Sequence, residues 1–168
     1  MSIPSQLEDE IALHVMNPKN YGVLKDANAV GMAKDPASSA YIIMYLSIEE
    51  NIIDDVKFAT SGNQDTNALG SMLSEMILKD TLVNVDIAVK KLEDDVKSAY
   101  TNLPSPEIQG EEVQAISTAE LDNANMVLSS YRAALRHYER KAEGIVEESF
   151  TINISKMCPY SQSDCAIK

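Results

Sequence analysis

Apolar and polar positions recur along this chain in two registers, and the changes of register outline its elements. Leu7, Ile11 and either Val15 or Met16 follow at helical spacing behind Ser5-Gln6-Leu7-Glu8, a capping box in which Ser5 caps and Glu8 reaches back to its amide. Asn17-Pro18 stops that helix, because the residue before proline is pushed out of the α region. Lys19 to Asn28 is a turn-rich link, and Val30 to Lys34 reads as a short strand. The strongest strand signal is Ala40 to Ile48, β-branched and aromatic and too short for a long buried helix. Glu49-Glu50-Asn51 reads as a hairpin turn into a second strand, Ile52 to Thr60. Strict alternation there puts Ile52, Asp54, Val56 and Phe58 on the apolar face, with Ile53, Asp55, Lys57 and Ala59 opposite.

After Gly62-Asn63 the period changes to that of a helix. Asp65 reads as an N-cap for a stripe of Leu69, Met72, Leu73, Met76 and Ile77, which points to a core face. Another helix carries Val85, Val89, Leu92, Val96 and Ala99, and Leu103-Pro-Ser-Pro106 ends it. A polar loop with Gly110 leads to a second capping box, Ser117-Thr-Ala-Glu120. This opens the longest helix, with Val127, Tyr131, Ala134, Leu135, Tyr138, Ala142 and Ile145 on one face. Phe150 to Ile154 is compatible with a short strand, and the last residues read as a mobile tail. The order implies an α+β fold, with a small antiparallel sheet covered on one face by helices. It also implies one domain over residues 1–147 and a tail over 148–168.

Composition narrows the function. The 168 residues hold 14 Lys plus Arg against 26 Asp plus Glu, a formal charge of −12. Such a balance argues against nucleic acid and against anionic membrane, which are reached through basic patches. The longest apolar run, Ala40 to Leu46, is far short of the roughly 20 residues of a spanning helix. The N-terminus carries no signal-peptide pattern, so the expected location is the cytoplasm. The cysteines are Cys158 and Cys165, both in the tail, so no thiolate chemistry is expected in the body. No phosphate loop, HExxH or GxSxG motif is present. His14 and His137 read as helix-surface or half-buried residues rather than bases.

Several segments together resemble a known family. His14-Val-Met-Asn17-Pro18-Lys-Asn20-Tyr-Gly22 is similar to the N-terminal signature of the U-type iron–sulfur cluster assembly scaffolds, IscU and the N-terminal domain of NifU. Asp35-Pro36-Ala37-Ser38 stands where that family reads Ala-Pro-Ala-Cys. Ile52 to Asn63 matches its second strand and the turn that ends in Gly-Cys, and Leu121-Asp122-Asn123 lies over its Leu-His-Cys. The resemblance spans roughly residues 5 to 140, apart from the loop near 104–117. It implies a three-stranded antiparallel sheet packed against helices.

In the family three cysteines hold the nascent cluster, assisted by an aspartate and a histidine. The resemblance puts Ser38, Asn63 and Asn123 at the three cysteine positions, with Ala40 and Asp122 at the assistant positions. Iron–sulfur clusters favour thiolates, whereas a serine hydroxyl is un-ionised at neutral pH and an asparagine amide is a weak neutral ligand. The family's chaperone-recognition stretch, Leu-Pro-Pro-Val-Lys, is here Leu103-Pro-Ser-Pro-Glu107, with acid in place of base. On their own physics Ser38, Asn63 and Asn123 read as turn and cap residues. A weak hard-cation site built on Asp65 and Asp122 is an alternative.

The leading expectation is therefore a non-enzymatic scaffold-like binding or regulatory partner of the iron–sulfur assembly machinery, with no cofactor of its own. A second reading is a cluster or metal carrier using Cys158 and Cys165. About 13 extended residues from position 145 reach roughly 40 Å, although ordering such a tail costs about 1–2 kcal/mol per residue. A third is a small ligand-binding or hydrolytic protein that reuses the vacated pocket.

Overall fold

The computed structural model describes residues 5–61, 64–101 and 118–154. Its elements are α1 (Ser5–Met16), β1 (Ala29–Lys34), β2 (Tyr41–Glu49), β3 (Ile52–Thr60), α2 (Gln64–Ile77), α3 (Leu82–Thr101), α4 (Thr118–Ala142) and β4 (Phe150–Asn153). Glu50 and Asn51 both take positive φ, 50° and 63°, in the two-residue turn between β2 and β3. Such a turn matches the twist of antiparallel strands, and β2 and β3 pair from Glu49↔Ile52 to Ile42↔Thr60.

The α+β class and the helices on one sheet face are as expected, but the sheet is larger than the resemblance implies. It has four strands in the order β3-β2-β1-β4. The fourth, β4, lies parallel to β1, from Gly31↔Phe150 to Lys34↔Asn153. The expectation of a three-stranded antiparallel sheet is corrected to a mixed four-stranded one. Residues from 155 onward lie outside the described residues, and the short strand anticipated at Phe150 to Ile154 forms as β4. The connection explains why. The Gly144 N–H bonds to Lys141 O and the Ile145 N–H to Arg140 O, while Gly144 takes a φ of 90°. This is a Schellman close, which turns the chain off α4 and back along the sheet. Arg140 then grips Glu147 with two bonds of 2.9 and 2.7 Å and stacks over the Phe150 ring at 5.5 Å.

The core lies between the sheet and the helices. Ile42, Met44, Leu46 and Ile48 of β2 point into it, with Tyr131 and Val127 of α4 and Leu73 and Ile77 of α2. Each such side chain contributes about 1.5–3 kcal/mol through its burial. On β3 the buried residues are Ile53, Val56 and Phe58, while Ile52 is 38% exposed. Strict alternation predicted Ile52 instead. The pairing steps from Ser47↔Asp55 to Ile48↔Ile53, leaving Asp54 as an extra residue. One bulged residue reverses the alternation beyond it.

Helix α4 crosses β1 at very close range. A Cβ on Gly31 would stand 2.0 Å from Ala134 N and 2.5 Å from Ser130 O, both backbone atoms. Only glycine admits that approach. On α2 the predicted single stripe divides. Leu73 and Ile77 enter the core, whereas Met72 lies half-buried and Met76 is 41% exposed beside a groove. Small residues make the division possible: a Cβ on Gly70 would stand 2.7 Å from the Phe58 ring. Arg132 of α4 ties α3 down through Glu93 at 2.7 Å and through Asp86. Burial lowers its basicity, but the bonds to Glu93 and Asp86 outweigh this and hold it above the usual arginine range. No helix among the described residues is long and apolar enough to cross a membrane.

Candidate functional site

The site suggested by resemblance is built on the turn between β1 and β2. Asp35, only 3% exposed, organises it. Its carboxylate accepts the Ala37 N–H at 2.9 Å and the Ser38 hydroxyl at 2.7 Å, and its carbonyl accepts the Ser39 N–H at 2.8 Å. Aspartate favours such local bonds to the residues that follow it. Ser38 Oγ also accepts the Ala40 N–H at 3.3 Å, so the hydroxyl is used twice within the turn. Ser38 itself is exposed and Ala40 is half-buried.

Two further segments reach the same end. Tyr41, at the exit of the turn, donates its N–H to Ser61 Oγ at 3.0 Å and accepts the Ser61 N–H at 3.1 Å. That fixes the end of β3, where the chain leads to Asn63, which lies outside the described residues. From α2, the Thr66 hydroxyl donates to Asn123 Oδ1 of α4 at 3.2 Å. The crossing of α4 over β1 completes the arrangement. Val30 meets His137, and Gly31 meets the backbone at Ser130, Ala133 and Ala134. The far end of β1, at Lys34 and Asp35, is thus directed toward the N-terminal part of α4 that carries Asn123. Asp122 is half-buried beside it. Asp65 is exposed in the first turn of α2, inside the helix rather than at its N-cap.

Among the described residues, the donor set placed at this end is the buried Asp35 carboxylate, the hydroxyls of Ser38, Ser61 and Thr66 and the Asn123 amide oxygen, several already bonded to protein. It suits a self-contained polar turn and does not fit an iron–sulfur cluster, which needs thiolates. No group of three His, Cys, Asp or Glu able to hold a metal ion occurs among the described residues. Cys158 and Cys165 lie outside them.

A second polar assembly escaped the sequence reading. His14 is 7% exposed, its Nδ1 2.6 Å from Ser71 Oγ and its Nε2 3.5 Å from Glu75 Oε2. Ser71 Oγ also accepts the Lys19 N–H at 2.6 Å. Ser74 donates to Ser71 O at 2.7 Å and accepts Asn20 Nδ2 at 2.9 Å. This network anchors α1 and the following link onto α2. The order carboxylate, imidazole, hydroxyl is that of a nucleophile relay, but Ser71 is fully buried. A substrate carbonyl has no path to it, so the arrangement is a structural tie. The clue in the sequence was Ser71 and Ser74 interrupting an apolar helix. His137 is likewise buried, against the expectation of a surface or half-buried residue. Its Nδ1 accepts the Val30 N–H at 2.9 Å, and its Nε2–H donates to Glu147 O at 2.8 Å. It holds α4, β1 and the approach to β4 together.

Comparison with known proteins agrees with this architecture. The family model described as the NifU-like N terminal domain matches residues 6–144. Two iron-sulfur cluster assembly scaffold proteins of Archaeoglobus fulgidus, IscU 1 and IscU 2, are each 31% identical over 133 residues, 79% of this chain and 76% of theirs. The iron-sulfur cluster assembly scaffold protein IscU of Aquifex aeolicus is 28% identical over 149 residues, 88% of this chain and 84% of its own. In fold, the chain is similar to the N-terminal NifU-like protein of Brucella abortus, with a TM-score of 0.56 at 16% identity, over 79% of this chain and 93% of that one. By the reach of the family match and the identity to these relatives, the chain belongs to the NifU-like N-terminal domain family, the scaffolds of iron–sulfur cluster assembly.

Proposed function

We propose that this member of the family no longer holds a cluster in its body and acts as a non-enzymatic binding or regulatory partner of the cytoplasmic iron–sulfur assembly machinery. Ser38, Asn63 and Asn123 are its ligand-equivalent positions, with Ala40 and Asp122 beside them. The observation that carries the reading is the bonding of the side chains present. Ser38 Oγ donates to Asp35 and accepts the Ala40 N–H, and Asn123 Oδ1 accepts from Thr66, so neither position offers a soft anionic donor. Neither nucleic acid nor membrane is a partner on this reading, given the −12 charge. Reconstitution of the purified protein with iron and sulfide under reducing conditions tests it. A colourless product is expected. A brown product with stoichiometric iron and sulfide overturns it.

One observation favours a second reading, a metal or cluster carrier that uses the end of the chain. Because β4 runs parallel to β1, the Ile154 N–H donates to Lys34 O at 2.8 Å. The chain therefore leaves the described structure beside the Asp35 turn. Cys158 follows four residues later, a reach of at most about 13–14 Å. An antiparallel β4 would have sent both cysteines to the opposite end. In the reconstitution, colour that disappears in a Cys158→Ser/Cys165→Ser variant establishes this second reading. The hydrolytic alternative receives no support from the buried Ser71.

A further inference from the structure

The side of the helical layer away from the sheet holds a cavity of about 490 Å³ that the cluster chemistry does not use. Its wall is apolar, formed by Met72 and Met76 of α2, Leu92 and Val96 of α3, and Val127 and Leu128 of α4. Size and lining are those of a ligand or side-chain site. It shares Glu10, His14 and Glu75 with a second cavity of about 340 Å³ that extends past Leu13, Asn17 and Lys19. The two form one elongated groove with acid at its waist.

We propose that this groove receives a basic amphipathic helix from a partner protein. The inference deepens the partner-binding reading above and rests on it. Large apolar side chains stand open along the groove: Met76 is 41% exposed, Leu92 37% and Leu13 67%. Spaced apolar positions along a groove match the anchors that one face of a helix presents at i, i+3 or i+4, and i+7. Flexible methionines on the wall let it adapt to the anchors it meets. The charge selects the rest of the partner. The titratable groups facing the groove and its extension are Glu10, Glu75, His14 and Lys19. The exposed Glu10 and Glu75 flank the waist, where a lysine or arginine beside the apolar anchors would meet them. An acidic helix, or a second copy of this −12 chain, would bring carboxylate against carboxylate.

The probe is a fluorescein-labelled synthetic peptide of about four helical turns, with leucines along one face and lysines on the other. Binding is read by anisotropy. A second peptide carries glutamate for lysine, and a third serine for leucine. The leucine–lysine peptide should bind, and each of the others roughly tenfold or more weakly. Met76→Arg/Leu92→Arg, two exposed positions on the groove, should weaken binding by a similar factor. Glu10→Lys should do so without touching the apolar wall. Asp26→Lys, on an exposed turn before β1, should leave binding within about twofold and control for bulk charge. Equal binding of the lysine and glutamate peptides overturns the proposal. So does native binding by the Arg variant, or no binding of any peptide. A native dimer by light scattering that the Arg variant converts to monomer overturns it in favour of a second copy. Thermal unfolding of each variant excludes loss of fold as the cause. The reconstitution above reads the ligand-equivalent end without any peptide, so the two proposals fail separately.

Discussion

The seam between α4 and β1 and the turn at the end of that same strand are neighbours held by opposite means. In the seam, backbone meets backbone. Gly31 leaves room for Ala134 and Ser130 to approach, and the His137 ring joins strand, helix and the approach to β4. At the turn, short polar side chains make the bonds: the Ser38 hydroxyl donates to Asp35 three residues before it, and Ser61 Oγ accepts the Tyr41 N–H from the neighbouring strand end. Nothing in the seam depends on what the turn binds. The contacts that specify the fold thus lie several residues away from Ser38 and Asn123 and are made of different chemistry, so on the proposal above the fold would tolerate replacement at those positions.

The contrast can be broken by mutation, and the largest effect belongs to the seam. Gly31→Ala forces a Cβ to 2.0 Å from Ala134 N, where neither backbone can yield locally. It should cost about 3 kcal/mol or more in denaturant unfolding; a loss below about 1 kcal/mol would show that the crossing relaxes. Gly70→Ala meets the Phe58 ring at 2.7 Å, a side chain with some freedom, so about 1–3 kcal/mol is expected. Ser71→Ala leaves His14 Nδ1 and the Lys19 N–H without their shared partner. The same assay should show about 1–3 kcal/mol. At the turn, Ser38→Ala should cost about 1 kcal/mol or less, since Asp35 keeps the Ala37 N–H and the turn keeps its backbone bonds.

The smallest effect is acid-dependent and concerns the clasp before β4. Hydrogen bonds from Arg140 hold the Glu147 carboxyl below its usual range. A folded-state value below the unfolded one means the contribution is complete above the ordinary carboxylate pKa of about 4.3 and disappears as pH falls through the lowered value. The native protein and Glu147→Gln should therefore differ in stability at neutral pH and converge in strong acid. A difference that persists there would assign the clasp to the packing of Arg140 on Phe150 instead.

The pattern of the chain gave away the hairpin, the amphipathic helices and the long α4, because each follows from local period; the capping box read at Ser117–Glu120 lies outside the described side chains. What it hid depends on contacts between distant segments. The Asp54 bulge reversed the buried face of β3, and no period in the sequence announces a single unpaired residue. The short strand at β4 was legible, but its parallel pairing with β1, more than a hundred residues earlier, was not. Met72 and Met76 share one stripe with Leu73 and Ile77, yet the small residues Gly70, Ser71 and Ser74 let α2 pack on two sides and turn the methionines to a groove. For the candidate site, the segments at Ser38 and Asn123 were placed by residue-by-residue resemblance alone. Their bonding partners, Asp35 and Thr66, were not foreseen, because a hydrogen bond across the fold has no signature in spacing.

On the proposal above, the family fold remains while its thiolate donors are missing from the body. Restoring them tests it most directly. Ser38→Cys/Asn63→Cys/Asn123→Cys, made together with Cys158→Ser/Cys165→Ser to remove the tail thiols, is compared with the native protein for iron and sulfide content after anaerobic reconstitution. The native protein should stay colourless, while the restored variant should unfold at a similar temperature and take up iron and sulfide in near-stoichiometric amounts. A native protein that gains a stoichiometric cluster, or a restored variant that folds and remains colourless, contradicts the proposal.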